Sequence, residues 1–148
     1  MLAYRLPREP SGPRVTVWRK LRRLGVAQVL DGLVVLPADA RTREQLEWLA
    51  DEVVEAGGEA WVWLGRLGSA SQERALAGRM AESVAADYEA VIADAKASEG
   101  ESEVVRRRVV ARLRRELQRI GRRDFFPPLQ RELARAAVDR LAMSMVAP

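Results

Sequence analysis

Arginine is the residue of this chain best suited to chemistry, and it is concentrated in two blocks. Arg14, Arg19, Lys20, Arg22 and Arg23 surround Trp18, and nine further arginines fall between Arg106 and Arg123. A guanidinium binds phosphate or carboxylate through two parallel hydrogen bonds, so either block could track a nucleic-acid backbone or an acidic surface. The candidate nucleic-acid contacts are Arg14, Arg19, Lys20, Arg22, Arg23, Arg107, Arg108 and Arg115. A smaller candidate is an oxyanion site at Ser11, Gly12 and Arg14, where backbone N–H groups at a helix start would join one guanidinium. Catalysis is not expected. The chain has no cysteine and no histidine, which removes disulfides, thiolate metal sites, the commonest general base and the commonest transition-metal ligand. Glu44, Glu47, Asp51 and Glu55 share one helix face, but carboxylates on a regular helix diverge rather than converge on an ion, so no metal or cofactor is expected.

Charge is segregated along the 148 residues. Residues 1–25 carry a net +6, 26–68 a net −5, 69–99 a net −3 and 100–123 a net +6. The alternation suits an anionic partner such as DNA. It equally suits pairing of the second arginine block with the Glu44–Glu55 stripe, within one chain or between subunits. Both alternatives stay open at this point.

The elements that must carry these residues follow from periodicity and turn chemistry. A short strand over 3–6 precedes Pro7. A helix over 14–24, with Pro13 in its first turn, ends at Gly25. Its apolar positions Val15, Trp18, Leu21 and Leu24 read as the core face, leaving Arg19, Lys20 and Arg23 opposite. Asp31-Gly32 between two apolar runs predicts a hairpin. A second helix is expected to start at Thr42 with Gln45 as its capping-box partner, bury Leu46, Leu49, Val53 and Ala56, and end at Gly57-Gly58. A strand over 59–64 follows, with Trp61 and Trp63 on one side; packing is a better reading for them than base stacking, because the other strands lack an aromatic-glycine signature. The order predicts an α+β fold with a ferredoxin-like βαββαβ core at 1–66. The remainder, 67–148, reads as about three helices packed on that core or on a partner subunit. Their expected inward lines are Leu76, Met80, Val84, Tyr88 and Ile92; Val105, Val109, Leu113, Leu117 and Ile120; and Leu129, Leu133, Ala137, Leu141 and Met145.

Several stretches carry a resemblance. Residues 6–25 (LPREPSGPRVTVWRKLRRLG), 31–37 (DGLVVLP), 41–50 (RTREQLEWLA), 55–60 (EAGGEA) and the ending Arg122-Arg-Asp-Phe-Phe-Pro127 resemble the N-terminal domain of the chromate-resistance regulator family ChrB. The Pro-x-x-x-Arg-Val-x-Val-Trp-Arg stretch is the most specific part. A related arrangement occurs in the ferredoxin-like domain of PaaX-type repressors. The resemblance implies a cytoplasmic regulator acting on promoter DNA of chromate-efflux genes and modulated by chromate. Longer family members continue into a second domain credited with resistance or sensing; ending at Pro148, this chain is expected to be a stand-alone version. Its partners are thus expected to be DNA, chromate and a second copy in a homodimer, with no membrane. The competing class is a non-catalytic dimerisation domain that touches neither DNA nor chromate.

Overall fold

The computed structural model describes residues 1–144. Four strands and five helices follow one another as β1 (Leu2–Arg5), α1 (Gly12–Leu24), β2 (Ala27–Leu30), β3 (Leu33–Val35), α2 (Ala40–Glu55), β4 (Glu59–Val62), α3 (Ala70–Ala97), α4 (Glu103–Gly121) and α5 (Gln130–Met143). The chain divides into two compact units, Met1–Leu76 and the residues from Ala77 onward. No helix among the described residues is long and apolar enough to cross a membrane.

The first unit is α+β. Its strands form one antiparallel sheet in the order β2-β3-β1-β4, with Leu2 opposite both Val34 and Val62. The Asp31-Gly32 turn joins β2 to β3 as expected from the sequence. Gly32 has φ of 75°, and a side chain there would collide with the carbonyl of Tyr4, whose N–H donates to the Gly32 oxygen at 2.7 Å. Glycine is therefore needed on both counts, for the left-handed backbone and for the close approach.

Helix α2 begins two residues before the position expected. Asp39, not Thr42, is the N-cap: its carboxylate accepts the Thr42 N–H at 2.7 Å, and Thr42 Oγ1 accepts the Asp39 N–H at 3.1 Å. Thr42 is buried, and its hydroxyl donates to the Pro37 carbonyl at 2.6 Å. The reciprocal pairing satisfies donors at the helix start. These bonds hold the Asp39 carboxyl below its usual range, chiefly through the Thr42 N–H. The core of the unit joins Leu2 and Val34 of the sheet to Val17 and Leu21 of α1 and to Leu46, Leu49 and Val53 of α2.

The second unit is helical. Val84, Tyr88, Val91 and Ala95 of α3 meet Val110, Leu113 and Ile120 of α4 and Ala134, Ala137, Val138 and Leu141 of α5. The start of α3 is capped by its own side chains: Ser69 Oγ accepts the Gln72 N–H at 3.2 Å, and Gln72 Oε1 reaches back to accept the Gly68 N–H at 3.1 Å. The inward lines hold at Val84, Tyr88, Leu113, Ile120, Ala137 and Leu141 and depart from expectation elsewhere. Val105, Leu129 and Leu133 are exposed, and Val110, Ala134 and Val138 take the buried positions. Residues four apart precess by about 40° on a helix, so a strict spacing of four leaves the core after two turns, and only alternation of three and four stays on it. Met145 lies outside the described residues.

Candidate nucleic-acid interface

Helix α1 is stopped by Gly25, whose φ of 77° ends it in the left-handed conformation. Its buried residues are Val17 and Leu21, with Leu24 packed beside them. The expected core line of Val15, Trp18, Leu21 and Leu24 is thus corrected: Val15 and Trp18 are 44% and 51% exposed. Steps of three residues turn a helix by about −60° each, so Val15 and Leu24 stand on opposite sides, and the sheet takes only the Leu21–Leu24 end of that line.

The correction gives α1 an outward face of mixed chemistry. Trp18 lies along its edge with the Arg22 guanidinium 4.9 Å from the ring centroid, a cation–π distance. Arg14, Arg19, Arg22 and Arg23 are exposed, and none has a carboxylate within ion-pair distance among the described residues. Lys20 departs from the expected set. It turns toward α2 and pairs with Glu52 Oε1 at 2.5 Å, with both side chains about two-fifths exposed. The lysine is therefore a strut between helices rather than part of the open face.

The N-terminus of α1 is open. Ser11 is the N-cap but its hydroxyl makes no capping bond, and Ser11, Gly12 and Arg14 are all exposed. A side chain at Gly12 would meet nothing within 4 Å, so the backbone there forms no tight cradle. An oxyanion would meet donors from one side only.

The second block behaves differently. Arg107 pairs with Glu103 at 2.6 Å, Arg112 with Asp94 at 3.0 Å, Arg114 with Asp139 at 4.0 Å and Arg119 with Glu116 at 2.9 Å. Arg123, following α4, pairs with Asp87 at 2.7 Å. These acids come from α3, α4 and α5, so the Glu44–Glu55 stripe is not what neutralises them. Of that stripe, Glu47 pairs with Arg43 on the same helix at 2.9 Å. Arg108, Arg115 and Arg122 have no ion-pair or hydrogen-bond partner among the described residues. Of the expected α4 contacts, Arg108 and Arg115 are thus unpaired and Arg107 is committed.

Beside this block, the Asp124 side chain is fully buried. It accepts the Tyr88 hydroxyl at 2.8 Å and stands 3.9 Å from Arg131. Burial, followed by that hydrogen bond and the Asp124 charge, pushes the Tyr88 phenol up to about 12. With the Arg123–Asp87 pair, the contact fastens the segment after α4 to α3.

Two features escaped sequence reasoning. One is the exposure of Trp18. The other is Trp48, 62% exposed within the acidic stripe of α2. A charge flanking each tryptophan at helical spacing was the available signal. On the sheet, Trp61 is 74% exposed opposite Ala3, and Leu30, opposite Leu33, is 66% exposed. Between β1 and β4, an open pocket is lined by Arg5, Leu6, Pro7, Gly57, Gly58 and Glu59; its arginine already pairs with Glu59 at 2.7 Å.

Compared with known proteins, residues 14–146 match the family model described as "Protein ChrB, N-terminal", nearly the whole chain. No curated protein and no solved structure matches.

Proposed function

The chain belongs to the ChrB N-terminal family, and from that premise we propose that it is a DNA-associated regulatory module of a chromate-resistance system. The carrying observation is the outward face of α1, where four exposed arginines, none with a carboxylate partner among the described residues, accompany a half-exposed tryptophan. Free cations release counterions when they meet phosphates. An indole with a stacked guanidinium adds a surface that suits sugar and base edges. The reading is of a non-enzymatic, cytoplasmic protein acting as a homodimer. Its first unit is read as ferredoxin-like, a reading supported by the antiparallel order β2-β3-β1-β4 and the two helices that follow β1 and β3.

Chromate would compete with DNA phosphate at the open end of the same helix, where Ser11, Gly12 and Arg14 offer donors to an oxyanion. The rival reading, a dimerisation module that binds neither DNA nor chromate, is favoured by the internal ion pairing of α4.

Titration of duplex DNA from the chain's own upstream region over a salt series, with and without chromate, tests the proposal. Replacing Arg14, Arg19, Arg22 and Arg23 with glutamine should weaken binding and reduce the slope of log affinity against log salt by about 0.9 for each phosphate no longer neutralised. The melting temperature should hardly move, because none of these side chains is buried. Binding with an unchanged slope makes the α1 face a merely solvated one.

A further inference from the structure

The outward face of α2 has a definite chemistry and, among the described residues, no charged partner. Glu44, Trp48, Asp51 and Glu55 stand at positions i, i+4, i+7 and i+11 of one regular helix, within an arc of about 60°. Trp48 is 62% exposed, so most of its aromatic surface faces outward. None of the three carboxylates has an ion-pair or hydrogen-bond partner among the described residues, although Glu47 and Glu52 on the flanks do. Along α4 and its C-cap, Arg108, Arg115 and Arg122 repeat at intervals of seven, within an arc of about 40°. They too are unpartnered among the described residues, while Arg107, Arg112, Arg114 and Arg119 around them are neutralised.

The two rows share one step. Glu44 to Asp51 and Arg108 to Arg115 are each seven residues, about 10.5 Å of helix rise, so two helices laid side by side bring these two charges of each row into register, with Glu55 and Arg122 beyond them. Trp48 sits between the carboxylates, where a guanidinium could pack on its face. We propose that the acidic, tryptophan-bearing face of α2 docks the unpaired arginine row of α4 in a second copy of the chain. Charge complementarity selects that occupant: one sequence contains both rows, each with a seven-residue step and each without an ion-pair partner among the described residues. A two-fold arrangement closes with each contact made twice. A phosphate backbone on the α4 row would leave the carboxylates and Trp48 of α2 without a partner, whereas a second copy of the chain supplies partners for both rows at once. The proposal rests on the homodimer part of the function proposed above and leaves the α1 face free.

The test is mass by light scattering at low ionic strength, where exposed charge pairs are least screened. Four preparations are compared: wild type, Glu44→Arg/Asp51→Arg/Glu55→Arg, Arg108→Glu/Arg115→Glu/Arg122→Glu, and the chain carrying all six substitutions. Wild type should run at twice the chain mass of 16.5 kDa. Each three-fold variant alone should run at the single mass, because both rows then carry the same sign. Mixed one to one, the two variants should regain the double mass, since each then faces the opposite sign. The six-fold chain, with wild-type net charge, should dimerise with itself. If a three-fold variant loses its far-ultraviolet circular dichroism, the six-fold chain decides. Three-fold variants that stay dimeric, or a mixture or six-fold chain that stays monomeric, overturn the docking while leaving the homodimer intact. A monomeric wild type overturns both. DNA affinity is measured separately through the untouched α1 residues.

Discussion

Helices α1 and α4 are both rich in arginine, and the fold uses them in opposite ways. Four of the seven arginines of α4 have a carboxylate within 4.0 Å, supplied by α3, α5 or α4 itself. None of the four arginines of α1 does among the described residues; the one cation of α1 that finds an acid there is Lys20. Charge density therefore does not distinguish a binding surface from a self-neutralised helix. The difference lies in whether acids from neighbouring elements reach the row. In α1 the outward face points away from α2 except at Lys20. In α4 the rows lean over Asp94 and Asp139.

The comparison can first be sharpened at the buried faces. Leu21→Ala in α1 should cost about 2–5 kcal/mol, as large-to-small core changes do, and Leu113→Ala in α4 should cost a similar amount. Trp18→Ala, by contrast, should stay within about 0.5 kcal/mol of wild type and act on DNA affinity instead. Chemical denaturation of the three variants measures this. A large loss for Trp18→Ala would put the tryptophan back in the core and dissolve the contrast.

A smaller effect tests how α4 is fastened. Tyr88→Phe strands the buried Asp124 carboxylate and should cost about 1–3 kcal/mol. It also changes the alkaline limb of stability. The folded phenol titrates near 12 against about 10 unfolded. The stability linked to Tyr88 is therefore complete below pH about 10 and is lost as pH rises through about 12. In Tyr88→Phe that loss should be absent. Unfolding transitions followed between those limits would show it, and an identical alkaline limb in both proteins would contradict the assignment.

The smallest effect isolates Lys20. Its pair with Glu52 is partly exposed, so Lys20→Met should cost under about 1 kcal/mol. The salt slope of DNA binding should be unchanged, unlike that of the arginines beside it. A reduced slope would return Lys20 to the interface.

The site was half legible for a physical reason. Arg14, Arg19, Arg22 and Arg23 lie outward because they are charged and the helix offers them no buried acid, which residue type alone anticipates. Trp18 was misassigned because a large apolar side chain in near-helical spacing carries the same signal whether it faces the sheet or flanks it. The pairing of Lys20 with Glu52 was not legible because that partner stands 32 residues away in sequence. The lines expected for α4 and α5 hold at Leu113, Ile120, Ala137 and Leu141 and miss at Val105, Leu129 and Leu133: shifting a buried line by one residue turns it by about 100°, and only the neighbouring helix decides where along its length it is covered.

By itself the sequence determined the local devices: the Asp31-Gly32 turn, the Gly25 stop, the order of strands and helices and the segregation of charge. Each depends on residues within a few positions of one another, so the information is complete in a short stretch of chain. The tertiary structure alone decided which helix faces are buried and which arginines are neutralised. Those outcomes are fixed by contacts between positions tens of residues apart, where small rotations of a helix exchange a buried side chain for an exposed one and a paired cation for a free one.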